Sequence, residues 1–130
     1  YRGLSSAVDI VPTLLEACGL PPEAGVQGIS ALPVLRGSAA PYRAWALAEH
    51  RERVPGMQTK TLITERYKLT YYPGHTFGEL FDLERDPQEY ENLWETPDAQ
   101  ALRGDLLLYL LEVLCTTEDP LPVYRSSPLP

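Results

Sequence analysis

The chain has 130 residues, 44% of them apolar, and carries a formal charge of −7 from eleven basic and eighteen acidic side chains. That length suits one small domain with its own core, and scattered cations under an acidic surplus argue against nucleic acid or an anionic membrane surface as partner, since both need clustered Lys and Arg. The longest apolar run, Leu106 to Leu111, falls far short of a bilayer span.

With Tyr1 at its start and Met57 as its only methionine, the chain is expected to be a processed or excised piece. Cys18 and Cys115 are too far apart to form a disulfide framework or a metal-spacing motif. Each falls at the end of an apolar helical pattern and reads as a small buried hydrophobe.

In chain order, Asp9 as N-cap, Pro12 in the first turn and the stop at Gly19, Pro21 and Pro22 predict a helix over 10–18. Ile10 with Leu14 and Val11 with Leu15 recur at helical spacing and define a core-facing side. Residues 19–29 read as loop, and Ser30 caps a short helical turn through Leu35 that ends at Gly37. From Arg43 the period becomes that of a strand. Trp45, Leu47 and Glu49 point one way, while Ala44, Ala46 and Ala48 point the other and leave room for something packed closely.

Gln58 to Thr64 and Tyr67 to Tyr72 follow as β-rich runs joined by Glu65-Arg66, a hairpin connection. Pro73-Gly74-His75 turns the chain into a fourth strand, Glu79 to Leu83. Thr96-Pro97-Asp98 is a helix start, and the helix runs to about Cys115 with Gly104 as a weak spot. Leu102, Leu106, Tyr109, Leu110 and Val113 form its stripe, and Leu107, Leu111 and Leu114 widen it, so that this helix needs two partners. Pro120, Pro122, Pro128 and Pro130 make the tail extended or disordered. The expected fold is α+β, a small antiparallel sheet of about four strands packed against the C-terminal helix.

Residues 78–94, Gly-Glu-Leu-Phe-Asp-Leu-Glu-Arg-Asp-Pro-Gln-Glu-Tyr-Glu-Asn-Leu-Trp, are polar and patterned, yet each polar group has a local task. Asp82 suits backbone N–H groups at a strand end, Asp86-Pro87 a turn, and Asn92 a chain reversal anchored by Leu83, Leu93 and Trp94. His50 is the stronger functional candidate. It ends the first strand in Glu49-His50-Arg51-Glu52-Arg53, where an imidazole and two guanidiniums meet at one sheet edge. Such donors suit a sulfate or phosphate ester, although Glu49 and Glu52 offer Arg51 and Arg53 simple neutralisation. Lys60 faces either a cleft or, more simply, an ion pair with Glu49 across the strands. His75, beside Gly74, is a turn residue with a smaller claim on a substrate.

The 78–94 block resembles the closing segment of the sulfatase family. Arg66-Tyr67-Lys68-Leu69-Thr70-Tyr71-Tyr72 is similar to the strand that precedes that segment, and Val8-Asp9-Ile10-Val11-Pro12-Thr13-Leu14-Leu15 to a helix start of the family. The resemblance implies a C-terminal piece of an arylsulfatase-like hydrolase of the alkaline phosphatase superfamily. Residues 1–40 would then be the edge of the large α/β catalytic domain, 41–119 the sheet and helix subdomain, and 120–130 the tail. In that family a Cys or Ser followed by x-Pro-x-Arg becomes formylglycine and an Asp/Asn cluster binds calcium; neither Cys18 nor Cys115 has that Pro and Arg. The nucleophile and calcium are therefore implied for an upstream part, and no catalytic or metal-ligating residue is expected here.

The implied role is one wall of a substrate cleft, with His50, Arg51, Lys60 and His75 as candidate contacts. The expected partners are the catalytic domain of the same parent and, for the excised piece, a second copy in a homodimer. The alternatives are a phosphonate or phosphodiester hydrolase of the same superfamily, and a stand-alone self-association module.

Overall fold

Four antiparallel strands that each turn a leucine to the same side build the centre of the molecule. The computed structural model describes residues 3–21, 24–51 and 57–117. Strands β1 (Trp45–Arg51), β2 (Gln58–Thr64), β3 (Tyr67–Tyr71) and β4 (Gly78–Asp82) pair antiparallel in the order β1-β2-β3-β4. Leu47 opposes Leu62, Leu62 opposes Leu69, and Leu69 opposes Leu80, so one row of leucines crosses the whole sheet. Leu62, Leu69 and Leu80 are fully buried. Helix α3 (Gln100–Thr116) covers that row with Leu106, Leu110 and Val113, spaced to fall on one helical face. Each such leucine contributes about 1.5–3 kcal/mol by leaving water.

The α+β architecture is the expected one, with differences at its edges. Helix α1 (Ile10–Ala17) begins beyond a 3-10 turn at Ala7–Asp9, and Asp9 itself has helical angles, φ −79° and ψ −14°. A residue already inside the helical path cannot cap it, so the expected N-cap role fails and the Asp9 carboxylate is spent elsewhere. Helix α2 (Leu32–Leu35) follows the sequence reading, and the Leu32 N–H donates to Ser30 Oγ at 3.2 Å. Thr96 precedes a 3-10 turn at Pro97–Ala99, but its side chain makes no capping bond. The proline-rich tail, Arg53 and the Pro55-Gly56 loop lie outside the described residues.

Both cysteines correct the sequence reading, for they are exposed. Cys115 sits two residues past Val113, about 200° around the helix from the buried row. Cys18 ends α1, whose face finds no cover among the described residues: Ile10, Val11 and Leu14 are all more than half exposed. The side of α1 expected to face the core is thus open here. Of the residues expected to widen the α3 stripe, Leu107 and Leu114 are half-buried against the core, while Leu111 faces solvent.

A single buried carboxylate ties the N-terminal segment to the sheet. Asp9 Oδ2 accepts from Arg43 Nε at 2.8 Å, from the Ser6 N–H at 3.0 Å and from the Tyr42 hydroxyl at 3.1 Å. Its Oδ1 accepts from Arg43 Nη2 and, at 2.9 Å, from the Ile29 N–H. Asp9 and Arg43 are 3% and 6% exposed, so neither charge has water to fall back on. Gly28 lies so close to this turn that a Cβ would stand 2.0 Å from the Val8 carbonyl oxygen, which only glycine permits.

Burial works to raise the Asp9 carboxyl, but the Arg43 hydrogen bond and the Ile29 and Ser6 N–H groups outweigh it, and its pKa falls below 3.8. The stabilisation is complete above the unfolded-state value and is lost as pH falls through the lower folded value. Asp9→Asn should therefore cost about 3–5 kcal/mol in urea unfolding near neutral pH, by leaving Arg43 buried and uncompensated. Below pH ~4 the gap to the parent chain should narrow; an unchanged gap would show that Asp9 does not carry the acid response. Gly104→Ala should gain about 1 kcal/mol, because a Cβ there meets nothing within 4 Å. A loss in that variant would mean that the exposed side of α3 is covered in solution.

Candidate functional site

Strand register decides which candidate residues meet. Arg51 opposes Gln58, His50 opposes Thr59, and Glu49 opposes Lys60; Lys60 in turn opposes Tyr71, and Tyr71 opposes Gly78. The end of β1, the start of β2 and the turn between β3 and β4 therefore share one end of the sheet, and all four sequence candidates lie there. Alternation then divides them. Glu49, Arg51 and Lys60 are on the side that carries α3, while His50 is on the opposite side.

A shallow depression of about 300 Å³ lies at this end, lined by Glu49, His50, Arg51, Gln58 and Lys60. Lys60 Nζ pairs with Glu49 across the two strands, as its sequence context suggested. Both partners are partly exposed, so the pair contributes little stability and Lys60 keeps a donor to share. His50 and Arg51 are exposed at the strand end. The arrangement can bind an anionic ester oxygen through a guanidinium fork and an ammonium, with an imidazole on the far side of the sheet edge.

His75 is not part of this depression. It sits in the β3–β4 turn, its N–H donating to the Tyr72 carbonyl at 3.1 Å and its ring 4.9 Å from that of Phe77. The Phe77 ring also lies 4.8 Å from that of Tyr72. The sequence reading passed over Tyr72 and Phe77, although counting by twos from Thr70 and from Glu79 places both on the side of His50. Burial and then the Glu79 carboxylate push the Tyr72 phenol up, so it remains a donor through the neutral range.

The patterned 78–94 block proves to be a clasp. Asn92 Oδ1 accepts from the N–H groups of Leu80 and Trp94, both at 3.0 Å, and Asn92 Nδ2 donates to the Gly78 carbonyl at 3.0 Å. The Trp94 ring fills the space above Gly78, where a Cβ would lie 2.5 Å from it. At the other end of the sheet Arg66 Nη2 donates to Asp82 Oδ2 at 2.8 Å, and Asp82 also accepts from the Glu84 and Arg85 N–H groups. The Arg66 hydrogen bond, against burial and with those N–H groups, holds the Asp82 carboxyl below its usual range. These groups serve the fold. Among the described residues no group of three or more His, Cys, Asp or Glu is arranged to hold a metal ion.

A further cleft of about 400 Å³ runs beside α1, lined by Ile10, Leu14, Leu35 and Tyr42 among others. Ile10, Leu14 and Leu35 are all exposed there.

Comparison with known proteins finds this fold elsewhere. The family described as N-sulphoglucosamine sulphohydrolase, C-terminal, matches residues 2–115. The Delta 4,5-hexuronate-2-O-sulfatase of Bacteroides thetaiotaomicron is 30% identical over 125 residues, which cover 92% of this chain and 25% of that protein. A putative sulfatase of the same organism superposes with a TM-score of 0.77 at 26% identity, over 85% of this chain and 25% of that one. The phosphonate monoester hydrolase of Agrobacterium radiobacter gives a TM-score of 0.78 at 27% identity, over 92% and 26%. The chain thus spans about a quarter of the length of these proteins.

Scaffold and surface separate by mutation. Asn92→Ala should lower stability by about 2 kcal/mol, since two main-chain N–H groups lose their acceptor. Lys60→Met should change it by less than about 1 kcal/mol. Denaturant midpoints measure both, and a Lys60 variant as damaged as the Asn92 variant would mean that the sheet end is part of the scaffold.

Proposed function

The chain belongs to the N-sulphoglucosamine sulphohydrolase C-terminal family and is the C-terminal domain of a sulfatase-like protein, and on that premise we propose that the whole protein is a sulfuric ester hydrolase in which this domain closes one wall of the substrate cleft. The observation that carries the reading is the 30% identity to a sulfatase along 92% of this chain. The sheet end supports it chemically. A sulfate ester gathers negative charge on its oxygens as the bond to the leaving group breaks, and Arg51, Lys60 and His50 are donors suited to that charge.

This domain supplies neither the nucleophile nor the metal. Cys18 lies in Ala-Cys-Gly-Leu-Pro and Cys115 in Leu-Cys-Thr-Thr-Glu, neither of which fits the formylglycine motif. The formylglycine and calcium implied by the family belong, in this reading, to the upstream part. Helix α1 is where that part would rest: Ile10, Leu14 and Leu35 line one cleft, and Val8 and Val11 are also exposed. In the excised chain the same face would pair with a second copy, giving a homodimer. Phosphonate ester hydrolysis is the second reading, favoured by the equal likeness to the phosphonate hydrolase fold. The sheet end binds anionic oxygens of either ester, so only turnover separates them.

In the complete polypeptide, Arg51→Ala and His50→Ala should each lower kcat/KM for an aryl sulfate by roughly tenfold to a hundredfold, the range of a charge-assisted hydrogen bond, without a change in melting temperature. The 130-residue chain alone should show no turnover. Unchanged kinetics in both variants would remove the sheet end from the cleft, and faster turnover of a phosphonate monoester than of the sulfate would favour the second reading.

A further inference from the structure

The side of α3 that faces away from the sheet carries an order that the core does not require. Leu106, Leu110 and Val113 hold the helix to the leucine row. At about 100° per residue, Ala101, Gly104, Leu108, Leu111 and Cys115 gather on a stripe roughly 180° around the helix from them. All five are exposed, Leu108 by 64% and Leu111 by 57%. Their alternating separations of three and four residues are those of a seam against which another helix packs. One side of α3 is thus a closed contact, and the other repeats the pattern of one over about 21 Å.

Charge borders this seam on one flank only. Asp98, Asp105 and Glu112 are exposed and recur at heptad spacing, Asp98 in the 3-10 turn before α3 and the other two within it. They form an acidic column roughly 70° around the helix from the seam. The opposite flank holds Gln100, Leu107 and Leu114, which carry no charge. Arg103, the single basic residue of α3, is committed elsewhere: its guanidinium lies 4.9 Å from the centre of the Trp94 ring, and its Nη1 donates to the Trp94 carbonyl at 2.7 Å.

Seam and column together select the occupant. Apolar burial alone accepts any apolar face. A symmetric antiparallel pair with a second copy sets the acidic column against its own image, and a parallel pair sets it against the uncharged flank, so self-pairing gains nothing from charge. An anionic membrane surface is repelled by the same column. A helix whose apolar stripe is bordered by Lys or Arg is attracted along the whole column while it covers both leucines. We propose that the outward face of α3 is a docking site for a partner protein that presents a basic amphipathic helix. Leu108 and Leu111 anchor the partner's stripe, and Asp98, Asp105 and Glu112 select its charge. The site is independent of the hydrolase reading, because none of the candidate ester contacts lies on α3.

The test is calorimetric titration of the complete polypeptide with two synthetic helical peptides that share a leucine seam, one bearing lysine along both flanks and the other glutamate. The lysine peptide should bind at least about tenfold more tightly than the glutamate peptide, with an affinity that falls as salt is raised. Leu108→Glu should weaken its binding at least about tenfold, although the added negative charge would strengthen an unspecific attraction. Replacing the acids by Asp105→Lys and Glu112→Lys together should reverse the preference between the peptides. Should Leu108→Glu lower the melting temperature, the charge-reversed variant decides alone, and an unreversed preference overturns the site. No binding of the lysine peptide, equal binding of both, or full binding by a folded Leu108→Glu variant would also overturn it. So would a dimer of the complete polypeptide, seen by sedimentation, that Leu108→Glu separates, since a second copy would then be the occupant.

Discussion

The buried pair of Asp9 and Arg43 is the constraint on which the arrangement of this domain depends. Thirty-four residues separate the partners, so their contact closes the loop from α1 to β1 and fixes where the first strand begins. Arg43 also donates to the Trp45 carbonyl at 3.1 Å, which carries the restraint into β1 itself. Such a pair contributes little over a well-packed apolar substitute, but half of it is worse than none. Its effect is to permit one docking of the N-terminal segment and to penalise others.

Beyond that tie, the sheet is stabilised on one face by apolar burial and on its far edge by hydrogen bonds. The leucine row under α3 provides the first. Asn92 provides the second, meeting two N–H groups and a carbonyl along β4 and the following chain. On the other face Ala46, Thr70 and Phe81 are buried, while Ala48, His50 and Phe77 are exposed, so the open part of that face is the end that bears His50. A scaffold braced in this way can present that end to a ligand or a neighbouring domain without being destabilised by change there.

Much of the fold was legible in the sequence because it depends on local period. The strand pattern of β2 and β3, the turn at Pro73-Gly74-His75 and the stripe Leu106, Leu110, Val113 each follow from spacing alone. Long-range groups were not legible: Asp9 looked like a helix cap because its partner lies so far along the chain, and the Arg66–Asp82 contact joins two motifs with no spacing rule between them. The cysteines mislead because apolar surroundings in sequence do not ensure burial in space: α1 has no cover among the described residues, and Cys115 turns away from its own buried row. At the candidate site, chemistry singled out His50, Arg51, Lys60 and His75. The division of His50 from Arg51 and Lys60, and the part of Tyr72 and Phe77, needed alternation and register together.

That division gives β1 an unusual leverage over what the domain can bind. Neighbouring residues on a strand face opposite ways, so inserting or deleting one residue between Trp45 and His50 would exchange the environments of imidazole and guanidinium in one step. The leucine row would suffer only at Leu47, because β1 is the outermost strand and the other three leucines belong to strands that would not move. A lineage carrying this fold therefore has a short mutational path to a new ligand preference: a slip in its outermost strand, with the centre of the sheet left in place.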